Sequence, residues 1–234
     1  IYKPLSPEGI ENIHNAALNI LEKTGITYEA GLETTVDMLA DAGATIDREM
    51  KRIRIPRELI LEEIAKAPSQ VILYARDGKN DLDLTEDTVH LGTGGAAIKI
   101  LDLDTGEPRS STLRDLYNIG RLVDGLDHIH FFLLPCIPTD IPEADYDVNM
   151  FYACLKATGK HVMSGVNDEA GLHRVIDMAA LLAGGKKQLQ EKPFISVITS
   201  FAISPLKLCT RSTLIMQECN RQGSNHLRVV ATIV

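Results

Sequence analysis

Several features are scarce in this sequence of 234 residues, and each scarcity excludes a class of protein. It has no tryptophan, and aromatic residues make up only 5% of the chain, so few aromatic faces are present to bind a cation. Four cysteines are too few for a disulfide scaffold at this length, and we expect reduced thiols in a cytoplasm. The longest apolar runs fall far short of the roughly 20 residues of a membrane span, and we expect neither a span nor a signal peptide.

Positive charge is also in deficit, because 24 Lys and Arg residues face 32 Asp and Glu residues and leave a net charge of −8. Nucleic acids and anionic membranes bind clusters of basic residues, so neither is an expected partner. The acidic excess lies wholly in residues 1–117, and residues 118–234 carry no net charge. This asymmetry, with a change in residue pattern, predicts an N-terminal region over 1–117 and a second region over 118–234.

The rest of the composition is that of an ordinary folded protein. The hydrophobic fraction is 44% and the charged fraction is 24%, which excludes disorder as the main state. The chain begins with Ile1 rather than methionine and ends in an apolar stretch that has the pattern of a strand. We therefore expect it to be a fragment of a longer protein.

The N-terminal region predicts helices followed by short strands. Ser6 and Pro7 suit the start of a first helix, and Gly25 suits its end. A second helix is predicted over 32–42, a strand over 52–55, and a third helix from Pro56. Short apolar runs between residues 71 and 103, separated by turn residues, predict a small antiparallel sheet.

The second region predicts parallel strands covered by helices. A capping box begins a helix at Thr112, and after it four apolar strands alternate with amphipathic helices. The predicted strands are 129–137, 161–166, 194–200 and 227–234, with helices at 144–157, 169–182 and 210–221. An open doubly wound sheet and a (β/α)8 barrel both fit this pattern. Eight units of about 32 residues need about 256 residues, so the spacing favours the first half of a TIM barrel.

The densest glycine cluster is Gly92-Thr93-Gly94-Gly95. Backbone N–H groups without side chains approach a ligand closely, so a ligand-binding loop is one interpretation. A dinucleotide fingerprint is excluded, because that motif opens a helix whereas the residues after it have a strand pattern. The pattern alone favours the other interpretation, a turn or bulge between strands.

Three further groups of residues resemble catalytic or metal-binding motifs but are better explained as ordinary structural residues. The triplet Asp104-Thr105-Gly106 matches an aspartic protease motif, but only one copy exists and a hairpin turn is favoured. The acidic run Asp77, Asp81, Asp83, Glu86 and Asp87 lacks the spacing of a calcium loop. The histidines and cysteines lack zinc-ligand spacing, so we assign no metal site.

If the second region is a barrel, the carboxyl ends of its strands are where a site would lie. These ends carry Pro135, Ser164 and Phe201, the last continuing to Ser204. Small residues there leave room for a cavity, and Phe201 is the aromatic residue best placed to line it.

Several stretches resemble the trimethylamine methyltransferase family of corrinoid-dependent methyltransferases. They are LGTGGAAIKILDLDTGEPRSSTLRDLYNIGRLVDGLDHIHFFLLP at 91–135, ATGKHVMSGV at 157–166, FAISPLKL at 201–208, and an opening helix that ends in ILEKTGI. The resemblance runs from about residue 5 to about residue 208, and the stretch after Leu208 departs from the family pattern.

The resemblance implies a (β/α)8 barrel preceded by an N-terminal helical and small antiparallel extension. It also implies an enzyme that moves a methyl group from trimethylamine, or from a quaternary amine such as glycine betaine, to the cobalt of a corrinoid protein. The cobalamin is carried by that partner, and this chain binds no cofactor directly. We expect a cytoplasmic protein that forms a homo-oligomer. A non-catalytic amine-binding module and a metal-dependent barrel lyase remain as alternatives.

We assign no catalytic residue, because a methyl group of a quaternary ammonium can be transferred without proton transfer, the neutral amine being the leaving group. The predicted substrate-binding residues come from the glycine cluster and the strand ends. They are Gly92, Thr93, Gly94, Gly95, Pro135, Ser164, Phe201 and Ser204. Tyr146 and Tyr152 are weaker aromatic candidates for cation binding.

Overall fold

Helices and strands alternate along the chain in the computed structural model, which describes residues 3–85, 88–221 and 228–233. The helices are α1 (Pro7–Asn19), α2 (Glu33–Asp41), α3 (Arg57–Ala65), α4 (Leu113–Asp124), α5 (Tyr146–Ala157), α6 (Glu169–Ala183), α7 (Lys186–Glu191) and α8 (Thr210–Arg221). The strands are β1 (Ile26–Tyr28), β2 (Thr45–Asp47), β3 (Arg52–Arg54), β4 (Val71–Leu73), β5 (Leu82–Leu84), β6 (Lys99–Leu101), β7 (Pro108–Ser110), β8 (Phe131–Leu133), β9 (His161–Ser164), β10 (Ile195–Ile203), β11 (Lys207–Leu208) and β12 (Arg228–Ile233).

The described residues fall into two compact units. The first contains the chain up to Pro68 together with Ser200–Thr213 and Ile233, and the second contains Ser69–Thr199 and Leu214–Thr232. Neither unit begins or ends at residue 117, and the domain boundary predicted there stays a prediction. Within the described part of the chain, no helix has the length and apolar character needed to cross a bilayer.

The first unit is built around short strands and the helix predicted at the start of the chain. Ser6 caps α1 by accepting a hydrogen bond from the Gly9 N–H at 3.0 Å. A π-helical turn follows α1 and ends at Gly25, whose φ of +75° favours glycine. Strand β1 pairs antiparallel with β3 and parallel with β11, and β2 pairs antiparallel with β3. Ile10 and Ile13 of α1 are 57% and 58% exposed in this chain.

The second unit confirms the predicted alternation of strands and helices. Strands β8, β9 and β10 are parallel neighbours, and helices α4, α5 and α6 follow the predicted order. Thr112 and Asp115 form the predicted capping box of α4, with the Asp115 N–H donating to the Thr112 hydroxyl. Strand β12 pairs with β10, whereas the predicted ends of this strand, residues 227 and 234, lie outside the described residues. The chain is therefore an α/β protein.

The small antiparallel sheet predicted between residues 71 and 103 is instead two separate hairpins. Strand β4 pairs with β5, and β6 pairs with β7. The Asp104-Thr105-Gly106 turn joins β6 to β7, and the Asp102 carboxylate accepts hydrogen bonds from the N–H groups of Asp104 and Thr105. A single sheet was wrong because short apolar runs identify strands without identifying their partners. Residues 86 and 87 of the acidic run lie outside the described residues.

The two faces of the parallel strands belong to different hydrophobic clusters. Phe132, Val162 and Ile195 pack with the helices, together with buried residues of α4, α5 and α6. Phe131, Leu133 and Met163 face the other way and pack with the β4–β5 hairpin. This alternation along each strand decides which strand-end residues face the helix layer.

Helices α4 and α5 approach each other closely at Gly120. A Cβ atom at this position would lie 2.6 Å from the Ala157 Cβ and 3.3 Å from the Phe132 ring. We predict that Gly120→Ala lowers the free energy of unfolding by about 1–3 kcal/mol, because the added methyl overpacks a buried contact. Chemical denaturation would measure this change. Gly125→Ala is the control, because its new Cβ would meet only an atom 3.7 Å away, and an equal loss in both variants would contradict the argument.

Candidate functional site

The carboxyl ends of the parallel strands lie together at one edge of the second unit. Phe131 pairs with His161 and Leu133 with Met163, so β8 and β9 run in step. Val197 of β10 pairs with Ser164, which continues the same register. Loops after parallel strands meet at one edge, and this arrangement places the β8–α5 and β9–α6 loops side by side.

The glycine cluster lies alongside β8 and is joined to it by backbone contacts at both ends. Gly92 forms a parallel bridge with Phe131, and Ala97 forms one with Cys136, with the same offset in residue number. The Thr93 hydroxyl donates to the Leu133 carbonyl at 2.5 Å, and the Ala97 N–H donates to the Pro135 carbonyl at 3.0 Å. Between these two bridges, Gly95 and Ala96 have positive φ values of +113° and +43°, so the backbone departs from an extended strand there, in line with the turn or bulge that the pattern favours.

The close packing of this segment explains its first glycine. A Cβ atom at Gly92 would collide with the Phe131 ring, and one at Gly94 would lie 3.2 Å from the Leu133 side chain. Gly95 has a φ of +113°, and a Cβ atom there would meet no atom within 4 Å. Glycine is therefore favoured at this position by its backbone conformation and not by close packing. Gly94 and Gly95 are exposed, which leaves the segment's outer surface open to a ligand.

The remaining predicted residues occupy different surroundings. Pro135 lies beside the glycine segment, whereas Ser164 faces the helix layer and its Oγ lies 3.7 Å from the Met150 Sδ. Phe201 and Ser204 belong to the other compact unit. Strand β10 continues to Ile203 before it turns into β11, so Phe201 lies within the strand and not at its end. The antiparallel pairing of Ala202 with Leu208 lengthens the strand beyond its apolar run.

A cavity of about 390 Å³ lies at the strand ends between the two loops and α5. We call it the strand-end cavity. It is lined by Leu134, Ile137, Ile141, Glu143, Tyr146, Asp147, Met150, Ser164, Gly165, Val166 and Asn167. The site therefore joins apolar side chains to two carboxylates and one phenol, and it includes the predicted residue Ser164. Tyr152, the other tyrosine candidate, is 50% exposed and lies away from this cavity beside Lys156.

Asp147 is the functional candidate that the sequence reasoning missed. It is only 3% exposed, and its Oδ2 accepts a hydrogen bond from the Asn167 N–H at 2.9 Å. Its Oδ1 is buried and has no hydrogen-bond partner among the described residues. The available signal was helical spacing, because residue 147 shares one face of α5 with the buried Met150, Phe151 and Cys154.

Electrostatics at the cavity follow from burial. Burial raises the pKa of Asp147, and the charge of Asp168 adds to this, whereas the Asn167 hydrogen bond and Arg174 oppose it. Burial also raises the pKa of Tyr146 to about 12, so this phenol stays protonated near neutral pH. The site thus offers a carboxylate that is costly to ionise without a cation beside it.

The cysteines and acidic residues show no arrangement typical of a metal centre. Across residues 3–85, 88–221 and 228–233, no three His, Cys, Asp or Glu side chains group as ligands. Burial raises the pKa of the thiols of Cys136 and Cys154, and raises that of Cys219 to about 11. These thiols are therefore held in the protonated form, which is a poor metal ligand.

Comparison with known proteins identifies relatives over nearly the whole chain. The sequence model of the family described as "Trimethylamine methyltransferase (MTTB)" matches residues 1–233. A trimethylamine methyltransferase MttB of Desulfitobacterium hafniense (strain DSM 10664 / DCB-2) is 33% identical over 93% of this chain and 43% of its own length. A glycine betaine methyltransferase of Desulfitobacterium hafniense (strain Y51) is 29% identical over 88% of this chain and 42% of its own length.

The fold is also similar to a solved structure. The crystal structure of the Methanosarcina barkeri monomethylamine methyltransferase (MtmB) superposes with a TM-score of 0.60 at 13% sequence identity. The match covers 97% of this chain and 45% of that protein. The chain thus spans less than half the length of the relatives that it matches.

Proposed function

Since the chain belongs to the trimethylamine methyltransferase (MTTB) family, we propose that it is part of an enzyme that transfers a methyl group from a small methylated amine to the cobalt of a partner corrinoid protein. The observation that carries this proposal is the family match over residues 1–233. Relatives named for trimethylamine and for glycine betaine support methylated amines as the substrate class. A cytoplasmic location and a homo-oligomer stay predictions.

We further propose that the second unit is the first part of a (β/α)8 barrel. Three parallel strands alternate with helices, and the glycine segment adds a fourth parallel neighbour beside β8. The relatives are more than twice as long as the matched part, which leaves room for the remaining barrel units. In this arrangement the strand-end cavity lies at the end of the barrel where catalytic loops gather.

The proposed reaction requires this protein to bind and orient the amine and does not require it to transfer a proton. In a quaternary amine the N–C bond breaks with its electron pair left on nitrogen, so the neutral amine departs without a general acid. The corrinoid of the partner supplies the reduced cobalt that receives the methyl group. The residues of this chain have to hold the cation, exclude water and align one methyl group. Apolar walls with a carboxylate, as in the strand-end cavity, suit that task.

Methylation of the partner tests the proposal. We expect the complete parent protein, mixed with its reduced corrinoid protein and trimethylamine or glycine betaine, to convert the cobalt spectrum to that of the methylated form. The 234-residue chain alone is expected to show no turnover, because it supplies only part of the barrel's loops. A parent protein that binds the amine but leaves cobalt unmethylated would instead be a binding module, and the proposal would be wrong.

A further inference from the structure

We propose that the strand-end cavity binds a small methylated ammonium ion that carries no carboxylate of its own, with Asp147 as its counter-ion. The inference rests on the proposed function, because it names the substrate class within that reaction. It goes further by assigning the cation to one cavity, one charge and one type of amine.

The walls of the cavity fit N-methyl groups. The side chains Leu134, Ile137 and Ile141 enter from the β8–α5 loop, Met150 from α5, and Val166 from the loop after β9. N-methyl groups donate no strong hydrogen bond, so their favourable surroundings are apolar surface and a diffuse negative charge. The volume of about 390 Å³ is ample for an amine of four to eight heavy atoms.

The charge that faces this space belongs to Asp147. Its side chain is almost fully buried, and Oδ1 has no hydrogen-bond partner among the residues that the structure describes, so water compensates its charge poorly. Asp147 lies in the first turn of α5, where the helix dipole favours an ionised carboxylate. Arg174 of α6 is the opposing side chain, but its guanidinium donates to the Ala144 carbonyl at 3.2 Å. A bound cation would therefore supply a counter-charge that Oδ1 otherwise lacks.

The remaining groups at the cavity determine which amine fits. Glu143 also lines the space, and Asp168 acts on Asp147 with a like charge from the start of α6. A ligand with its own carboxylate, such as glycine betaine, would place a third negative charge among them. The protonated form of trimethylamine carries no such group, and its positive charge would lie beside the Asp147 carboxylate. Trimethylammonium is thus favoured over glycine betaine at this cavity.

A purely structural role for Asp147 makes a different prediction. Its Oδ2 accepts the Asn167 N–H, and Gly171 packs against the same oxygen, so the carboxylate helps to position the β9–α6 loop. In Asp147→Asn the amide oxygen keeps that acceptor and the amide nitrogen replaces Oδ1. This variant therefore removes the negative charge while the loop contact is retained, which separates cation binding from loop positioning.

The test is a titration of the complete parent protein with trimethylammonium chloride, followed by calorimetry or by NMR. We expect Asp147→Asn to weaken binding by about 10-fold to 100-fold, the range set by loss of one charged partner. Asp145→Asn is the matched control, since it removes the same charge from an exposed residue two positions away and should change affinity by less than about 2-fold. Glycine betaine should bind to the unsubstituted protein more weakly than trimethylammonium does.

A pH series gives a second readout. The unsubstituted protein should lose affinity for trimethylammonium as the pH falls through the raised pKa of Asp147, because protonation removes the negative charge of the counter-ion. Asp147→Asn should show no such loss. Equal affinity in the parent and in Asp147→Asn, or no binding of trimethylammonium, would overturn the assignment of this cavity. Methyl transfer by the complete protein is measured separately, so it can succeed when this assignment fails.

Discussion

Replacing Lys160 with methionine is expected to lower the free energy of unfolding by about 2–4 kcal/mol, the range for loss of a buried charged partner. Lys160 is only 4% exposed, and its ammonium donates to three backbone carbonyls, those of Val123, Leu126 and Ile129, at 2.6–2.8 Å. The first of these carbonyls closes α4, so the positive charge also compensates the negative end of that helix. The Val123 and Leu126 carbonyls keep a backbone partner in the variant, which limits the loss.

Methionine keeps most of the apolar stem of Lys160 and removes the ammonium, so the change in stability reports on the three hydrogen bonds. Urea denaturation would measure it, with Lys187→Ala as the control. Lys187 is exposed on α7, and its loss should change stability by less than about 0.5 kcal/mol. A Lys160→Met midpoint that matches the control would show that the ammonium contributes nothing to the fold.

The elements of the second unit were predictable because local signals agreed there. The capping box at Thr112 and the amphipathic pattern after it identified α4, and apolar runs identified the cores of β8, β9 and β10. Partners were less predictable, since a run of apolar residues does not state which strand lies beside it. The glycine segment depends on pairing with β8, which is distant in sequence. The extension of β10 as far as Ile203 depends on its antiparallel pairing with β11.

The candidate site was only partly predictable for a related reason. Strand ends were identified from topology, and Ser164 lies at the cavity as that argument expects. The direction of its side chain follows the alternation of β9, which turns it toward Met150. Asp147 was missed because a carboxylate near the start of a helix normally faces solvent, where it interacts favourably with the helix dipole. Its burial depends on the packing of the β9–α6 loop through Asn167, a contact that no local pattern indicates.

Replacing His161 with alanine is expected to lower the free energy of unfolding by about 2–4 kcal/mol, because it opens a cavity and removes two side-chain hydrogen bonds. The imidazole is fully buried between two structural elements. Its Nδ1 lies 2.7 Å from the Tyr74 carbonyl next to β4, and its Nε2 lies 2.7 Å from the Ser196 hydroxyl of β10. A carbonyl only accepts, so Nδ1 carries a proton and donates it to the Tyr74 carbonyl.

This pair of contacts joins the β4–β5 hairpin to the parallel strands, so the loss should be visible locally as well as globally. In His161→Ala, amide hydrogen exchange should accelerate in β4 and β5 more than in β9. His161→Asn retains a donor near the position of Nδ1 and should restore part of the hairpin's protection. Ser196→Ala keeps the contact to Tyr74 and should leave the hairpin protected. Exchange in β4 and β5 that accelerates equally in His161→Ala and His161→Asn would mean that Nδ1 does not hold the hairpin, and that the imidazole acts only by filling space.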